Sequence, residues 1–124
     1  MSNTNPDGPY LAPINPDVGA EDYQARPRNL EMEQALLGAI IVDNEAINKV
    51  VSLEPHHFSE PLHERIFETT KRLIERGQLA VPATLKTYLE SDEGLQAVGG
   101  AAYLGRLAEA AVPTFYVEEY GRTI

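Results

Sequence analysis

The sequence has 124 residues, enough for one domain with a single hydrophobic core. Its net charge of -9 argues against a surface that grips a phosphate backbone, and the absence of cysteine excludes disulfides and thiolate metal sites. No apolar run approaches the roughly 18 residues of a membrane span, and no secretory signal pattern is present, so we expect a cytoplasmic protein.

The first 27 residues differ in composition from the rest of the chain. Residues 1–27 hold five of the nine prolines together with several acidic residues, and nothing periodic appears among them. Such a composition is typical of segments that bury too little apolar surface to fold. We therefore predict a disordered, acidic, proline-rich tail over residues 1–27 and a folded helical domain over residues 28–124.

The stretch Asn29–Asp43, NLEMEQALLGAIIVD, predicts the first helix, around which the others are expected to pack. Its apolar residues recur at helical spacing and continue around the cylinder, which indicates burial on more than one side. Asn29 suits the N-cap because its side chain can accept a backbone N–H. Gly38 is a poor helix former in mid-helix and indicates that another helix crosses closely there.

Three further helices are predicted before residue 90. The second is short and follows from an apolar stripe of Ala46, Ile47, Val50 and Val51. The third begins near Ser59 or Pro61, where serine suits the cap and proline the first turn, and it ends at Gly77. The fourth begins at Pro82, although Val81 offers no side-chain acceptor for a cap.

The last third of the chain predicts two more helices. Ser91–Gly94 indicates a polar break, and Val98–Gly100 indicates a tight turn. Ala101–Ala111 predicts the fifth helix, and a sixth begins at Pro113 and is still in progress where the sequence stops, which indicates a truncated chain. No alternating stretch is long enough for a strand. The predicted fold is all-α, a compact bundle of about six short helices.

No catalytic, cofactor-binding or metal-binding constellation emerges from the sequence. A phosphate-binding loop requires a Gly-Lys pair, which the chain lacks. The stretch from His63 begins like the zinc-protease motif HExxH, but Phe67 replaces the second histidine. His56 and His57 lie nearby without thiols or a carboxylate at ligand spacing. We therefore interpret His63 as a helix-start residue whose ring makes a local hydrogen bond.

Acidic and aromatic residues are the remaining candidates for a functional role. Glu31 and Glu33 lie close together, but acid–base catalysis requires carboxylates that converge in a pocket, and these look like a solvated helix face. Tyr103, Tyr116 and Tyr120 cluster toward the C-terminus, and exposed aromatic side chains often anchor protein interfaces. The alternative is that Tyr103 and Tyr120 belong to the core and keep only the hydroxyl in water.

Several phrases of the sequence, taken in order, resemble the N-terminal domain of bacterial replicative DNA helicases of the DnaB type. The opening NLEMEQALLGAIIVDNEA resembles the family pattern xExEQxxLGxxxxD, and the stretch from Phe58 to Phe67 resembles its F-x4-H-x2-IF. VGGAAYLGRL, at residues 98–107, is similar to its GG-x2-YL-x2-L. Residues 111–120 resemble the entry to its C-terminal helical hairpin. The resemblance covers residues 28–124.

The resemblance implies a scaffold role. In the family, this domain helps build the N-terminal collar of a helicase hexamer through self-association. It also receives primase in the primosome and, in some systems, a helicase loader. ATP and Mg²⁺ would serve a downstream motor domain, so no cofactor is expected here, and the acidic surface agrees with protein partners rather than duplex DNA.

The resemblance also assigns roles to individual residues. It suggests Glu31 and Tyr103 as partner contacts, and it places Tyr116 and Tyr120 at the hairpin entry, where self-association is the expected use. We assign to the core Leu36, Leu37, Ile40, Ile66, Phe67 and Leu104.

The sequence departs from the family pattern at three points. Leu79–Pro82 replaces the usual Pro-Ile/Val-Asp before the fourth helix, so the aspartate cap is lost. The stretch after Pro113 is slightly shorter, and Gly121 stands where alanine is common. The helical hairpin that pairs subunits is barely begun, which agrees with a truncated chain.

Two other hypotheses remain open. The helicase-interaction domain of a primase is a similar helical bundle, although the EQxxLG opening and the YL phrase favour the helicase. A small metalloenzyme that uses His63 and nearby acids belongs to a different class. It would be dismissed by the lack of stoichiometric metal and by unchanged activity of His63→Ala.

Overall fold

A computed structural model describes residues 29–124, and the tail predicted over residues 1–27 lies outside this range. Helix α1 spans Leu30–Val42, α2 Pro61–Glu75, α3 Pro82–Tyr88, α4 Glu93–Ala97, α5 Ala101–Glu109 and α6 Val117–Thr123. Short 3₁₀ helices cover Asn44–Val50, Pro55–His57 and Thr114–Tyr116. Within residues 29–124 no strand is present, and the predicted all-α class is confirmed. No helix in that range is both long and apolar enough to cross a lipid bilayer.

Helix α1 lies at the centre of the bundle and contacts α2, α5 and α6. Gly38 of α1 lies against the backbone of Leu107 in α5, and an added Cβ would collide with the Leu107 carbonyl group. The close helix crossing predicted from Gly38 is therefore confirmed. The six residues assigned to the core from the sequence are at most 1% exposed, namely Leu36, Leu37, Ile40, Ile66, Phe67 and Leu104.

The segment after α1 is a 3₁₀ helix over Asn44–Val50 rather than the short α-helix predicted. A 3₁₀ helix has about three residues per turn, so an apolar stripe spaced for an α-helix does not stay on one face. Ala46 and Val50 are buried, whereas Val51, which follows the helix, is 78% exposed. The expectation that Val51 packs inward was wrong.

The first turns of α1 and α2 are capped differently from the prediction. The Asn29 side chain makes no capping hydrogen bond to α1. Glu60 caps α2, since its carboxylate accepts the Leu62 N–H at 3.3 Å. Ser59 instead directs its backbone N–H and its hydroxyl to the Glu33 carboxylate. A charged acceptor forms stronger hydrogen bonds than a neutral one, so Ser59 connects α2 to α1 instead of capping its own helix.

The Leu79–Pro82 loop, where the family's aspartate cap is missing, is held by side chains from two other positions. The Asn44 amide forms two hydrogen bonds with the backbone of Ala80, at 2.9 and 2.8 Å. The Thr84 hydroxyl accepts the Val81 N–H at 3.0 Å. These contacts define the start of α3, which begins where the sequence predicted.

Helix α4 was not predicted, because its first two residues, Glu93 and Gly94, fall in the expected polar break Ser91–Gly94. Asp92 starts this helix by accepting the Leu95 N–H at 3.0 Å, and it also forms a bidentate ion pair with Arg65 of α2, at 2.6 and 2.9 Å. The hydrogen bond from Arg65 holds the pKa of Asp92 below its ordinary value. A contact between distant parts of the chain therefore stabilises a helical turn that the local sequence specifies weakly.

Helix α6 packs against α1 and against the 3₁₀ helix Asn44–Val50. At the second contact, a Cβ on Gly121 would collide with the side chain of Val50. The glycine that departs from the family pattern therefore permits the close approach of these two helices.

Candidate protein-binding surface and a buried polar network

A continuous set of hydrogen bonds joins α1, α2 and α5 inside the domain. Oε1 of Glu33 lies 2.8 Å from Nδ1 of His63, and Nε2 of His63 lies 2.8 Å from the hydroxyl oxygen of Tyr103. The side-chain amide of Gln34 donates to the same hydroxyl at 2.9 Å. Oε2 of Glu33 accepts the backbone N–H and the hydroxyl of Ser59, at 2.8 and 2.7 Å. These five residues are termed the Glu33 network.

One arrangement of protons satisfies every bond of the Glu33 network. The N–H at Nδ1 of His63 donates to Glu33, and the Tyr103 hydroxyl donates to Nε2 of His63. The Gln34 amide then donates to the Tyr103 oxygen. The side chains of Glu33, Gln34, His63 and Tyr103 are at most 2% exposed, so the atoms that form these bonds find in the protein the partners that water would otherwise supply.

The network has a defined charge state. Burial alone would raise the pKa of the Glu33 carboxyl, but the hydrogen bonds from His63 and Ser59 outweigh it and hold the pKa below its ordinary value of 4.5. Burial raises the pKa of the Tyr103 phenol far above its ordinary value of 10.0. At neutral pH the network therefore contains a charged carboxylate and a protonated phenol. Because the phenol is buried and bonds two side chains, the arrangement fixes three helices and presents no reactive oxygen to solvent.

Sequence reasoning missed this network. Glu33 was expected on a solvated face, and His63 was expected to make a local hydrogen bond, and both expectations were wrong. The helical spacing could have predicted the burial of Glu33. Glu33 precedes the buried Leu36 and Leu37 by one turn and lies on the same side of α1. A carboxylate at such a position requires a buried partner, although the spacing does not say which residue supplies it.

The four residues predicted as contacts occupy different environments. Glu31 is exposed in the first turn of α1, Tyr116 is 47% exposed, and Tyr120 is half-buried against the core. Tyr103 is 1% exposed, and its hydroxyl is used inside the Glu33 network. Its assignment as a partner contact is corrected here to a core position, because burial leaves it no surface for a partner.

The structure brings two of the predicted contacts together at one surface. Glu31 and Tyr120 line a cavity of about 280 Å³, together with Met32, Ala35, Ala110 and Val112. In the adjoining segment, Phe115 is 74% exposed and its ring centroid lies 4.5 Å from that of Tyr116. Exposed aromatic residues and partly apolar cavities are both typical of interaction sites. The residues Glu31, Phe115, Tyr116 and Tyr120 are termed the α1–α6 surface.

The three histidines that are close in sequence do not form a common site. Nδ1 of His57 accepts the Glu54 N–H at 2.9 Å, and both ring nitrogens of His63 belong to the Glu33 network. Phe67, at the position of the second histidine in HExxH, packs on Phe58 with ring centroids 5.0 Å apart. In the described part of the chain, no three His, Asp or Glu side chains are grouped so as to hold a metal ion.

The fold and the surface together define a small all-α domain whose exposed aromatic residues suit contact with other proteins. Residues 25–124 match the family model described as the DnaB-like helicase N terminal domain. The chain belongs to this family. The resemblance found in the sequence phrases is thereby confirmed, and the match favours a helicase domain over the helicase-interaction domain of a primase.

Individual relatives agree with the family match. The chain is 39% identical over 99 residues to the replicative DNA helicase DnaB of Rickettsia conorii, covering 79% of this chain and 20% of that protein. It is 34% identical over 99 residues to the replicative DNA helicase DnaB of Geobacillus stearothermophilus, covering 79% of this chain and 22% of that protein. The chain therefore spans about a fifth of the length of the curated relatives it matches.

The fold is similar to that of a solved structure from the same family. The crystal structure of the N-terminal domain of DnaB helicase from Mycobacterium tuberculosis matches with a TM-score of 0.70 and 29% sequence identity. The match covers 77% of this chain and 69% of that chain.

Proposed function

We propose that this chain is the N-terminal collar domain of a replicative DNA helicase, which supports hexamer assembly and docks primase during DNA replication in the cytoplasm. The observation that carries the proposal is the family match over residues 25–124. The whole protein would be an ATP-dependent enzyme that unwinds DNA, and this domain would be its non-catalytic part.

The α1–α6 surface supports the assembly role. Phe115 and Tyr116 expose adjacent rings to solvent, and Tyr120 lines the neighbouring cavity on α6. Aromatic side chains bury a large area at a small cost in conformational entropy, so such a cluster is suited to contact with a second subunit. We assign self-association to Tyr116 and Tyr120, at the entry to the helical hairpin of the family.

Glu31, which lines the same cavity as Tyr120, supports the docking role. Its carboxylate is exposed in the first turn of α1 and suits a basic group on a partner protein. Primase is the proposed partner, and in some systems a helicase loader would use a surface of this domain as well.

The domain itself is proposed to bind neither nucleotide nor duplex DNA, while ATP and Mg²⁺ serve the motor domain of the whole protein. The chain has nineteen acidic and ten basic residues, so its net negative charge repels a phosphate backbone. Fluorescence anisotropy with duplex DNA at physiological salt, and an ATPase assay, test these points directly. We expect no turnover and no tight binding. A submicromolar dissociation constant for DNA would contradict the proposal.

A pull-down from purified components tests the docking role. The tagged chain is incubated with the C-terminal domain of the cognate primase in the absence of DNA, and we expect this domain to be retained. Glu31→Lys reverses the exposed charge and is expected to reduce retention, whereas Glu45→Lys makes the same change at another exposed position and serves as the control. Equal loss in both variants would contradict the assignment of Glu31.

A further inference from the structure

Val51 has the most exposed side chain among the large apolar residues of the described chain, at 78%. It lines a cavity of about 320 Å³ together with residues of α2 and of the 3₁₀ helix Asn44–Val50. Two other lining residues belong to the core, namely Phe67 and Leu53, which are 1% and 5% exposed. We term this cavity the α2 groove. It shares no lining residue with the cavity of the α1–α6 surface.

Two helical elements supply most of the lining of the α2 groove. Phe67, Lys71 and Ile74 of α2 occupy positions i, i+4 and i+7, which places them on one face of that helix. Ile47 lines the groove from the 3₁₀ helix, and Ile47 and Ile74 are both only partly buried. A largely apolar groove lined by two helical elements is suited to the apolar face of a third helix.

The charges at the α2 groove favour a basic partner. The helical spacing would allow Lys71 to pair with Glu75, but the Lys71 ammonium lies 3.5 Å from the carboxylate of Glu54 instead. The charge of Lys71 is therefore balanced inside the domain. Glu75 also lines the groove, is exposed, and forms no ion pair within residues 29–124. Its carboxylate can accept a basic side chain from a partner, and the excess of acidic residues in the chain attracts such a partner as well.

We propose that the α2 groove binds a basic amphipathic helix of another protein. Large aliphatic side chains of that helix, spaced one turn apart, cover Val51 and Ile74, and a lysine or arginine beside them pairs with Glu75. Anchors at this spacing are the usual means by which a helix is held in an apolar groove. The contact is separate from the α1–α6 surface, so it does not rest on the proposed docking of primase.

A titration with synthetic peptides tests the proposal. The full ¹⁵N-labelled chain is titrated with a helical peptide that carries leucines at positions i, i+3, i+4 and i+7 and lysines beside them, and NMR follows the amide signals. We expect saturable shifts at Ile47, Val51 and Ile74. The matched peptide has glutamates in place of the lysines. It is expected to bind about fivefold more weakly, because its charges repel Glu75 instead of pairing with it.

Reversal of the charge on the protein tests the assigned ion pair. Glu75→Lys is expected to reverse the preference, so that the glutamate peptide binds more tightly than the lysine peptide. Glu90→Lys makes the same change at an exposed glutamate that does not line the groove, and it should leave the preference for the lysine peptide unchanged. Both sites are exposed, so the fold is retained in each variant.

Two variants at exposed valines test the apolar part of the contact. Val51→Ser removes apolar surface from the groove and is expected to weaken the binding of both peptides by a similar factor. Val42→Ser makes the same change at a residue that is 61% exposed and does not line the groove, and it should leave both affinities unchanged.

Four results would overturn the proposal. The absence of shifts at peptide concentrations on the order of 1 mM means that the groove binds no helix. Saturable shifts confined to other residues mean that the peptide binds elsewhere. A preference for the lysine peptide that survives Glu75→Lys means that Glu75 does not contact the partner. Signals of Ile47 and Val51 that move on dilution of the chain without peptide mean that a second copy occupies the groove.

Discussion

The hydroxyl oxygen of Tyr103 lies 2.8 Å from Nε2 of His63, and this bond connects α5 with α2 inside the core. The Gln34 amide donates to the same hydroxyl. The Tyr103 hydroxyl bonds both the His63 ring and the Gln34 amide, so its removal leaves two buried polar groups without this partner.

Tyr103→Phe should therefore destabilise the domain although it deletes a single oxygen. An unpaired buried polar group costs about 1–3 kcal/mol, and two groups lose their partner here. Urea unfolding followed by circular dichroism measures the change. The matched control is Tyr88→Phe, at a tyrosine that is 52% exposed, where we expect less than about 0.5 kcal/mol. Equal stability of the two variants would contradict the assigned bonds.

Glu33→Gln should also destabilise the domain at neutral pH. The carboxylate accepts hydrogen bonds from His63 and Ser59, and hydrogen bonds to charged groups contribute about 1.5–3 kcal/mol. An amide can accept with only one of its two ends. Glu31→Gln, at the exposed glutamate of the same helical turn, is the control and should unfold at nearly the wild-type urea concentration.

The pH dependence of this difference has a definite sign. The pKa of Glu33 is lowered by folding, so the stability that its charge provides is complete above the ordinary value of 4.5 and is lost as the pH falls through the lower folded value. We expect the gap in unfolding free energy between wild type and Glu33→Gln to be constant near neutral pH and to shrink below 4.5. A gap that widened on acidification would contradict the lowered pKa.

The sequence predicted local helical patterns well, but it did not predict which distant residues bond one another. The apolar spacing of α1 identified Leu36 and Ile40 as core, because helical period and burial are set within one turn or two. The same spacing could have indicated that Glu33 is buried. It does not indicate that the partner of Glu33 is His63, which lies thirty residues away in the sequence.

Two further features of the fold were also not predicted from the local sequence. Asp92 and Arg65 form the ion pair that fixes α4, and they are 27 residues apart. Val51 was predicted to lie on the apolar stripe of a short helix because the pattern around it was interpreted with α-helical spacing, whereas the segment forms a 3₁₀ helix and Val51 is exposed. Of the candidate contacts, Tyr103 was wrongly predicted to be a partner contact. The sequence does not distinguish an aromatic residue on a protein surface from one buried below that surface.

Two glycine substitutions of opposite expected sign test the packing of α1 against α5. Gly38→Ala should destabilise the domain, because the new Cβ meets the rigid backbone of Leu107 and overpacking of this kind costs about 1–3 kcal/mol, more than the roughly 1 kcal/mol gained in helix propensity. Gly105→Ala on α5 has open space around the new Cβ and should stabilise by about 0.5–1 kcal/mol. Thermal unfolding of both variants checks the prediction, which would be contradicted by shifts of the same sign.

Truncation of the central core should be costly. Leu36 is completely buried in α1, so Leu36→Ala is expected to lower the unfolding free energy by about 2–5 kcal/mol. Leu79→Ala removes the same atoms at a residue that is 63% exposed and should change the stability by less than about 0.5 kcal/mol. A similarly small effect at Leu36 would count against its burial.

We propose that this domain acts by presenting a folded helical surface to other proteins. The most direct measurement is a titration of the ¹⁵N-labelled chain with the C-terminal domain of the cognate primase, followed by NMR. We expect saturable shifts on one contiguous surface that includes Glu31, and a several-fold weaker affinity for Glu31→Lys than for Glu45→Lys. The absence of any shift at concentrations on the order of tens of micromolar would contradict primase docking.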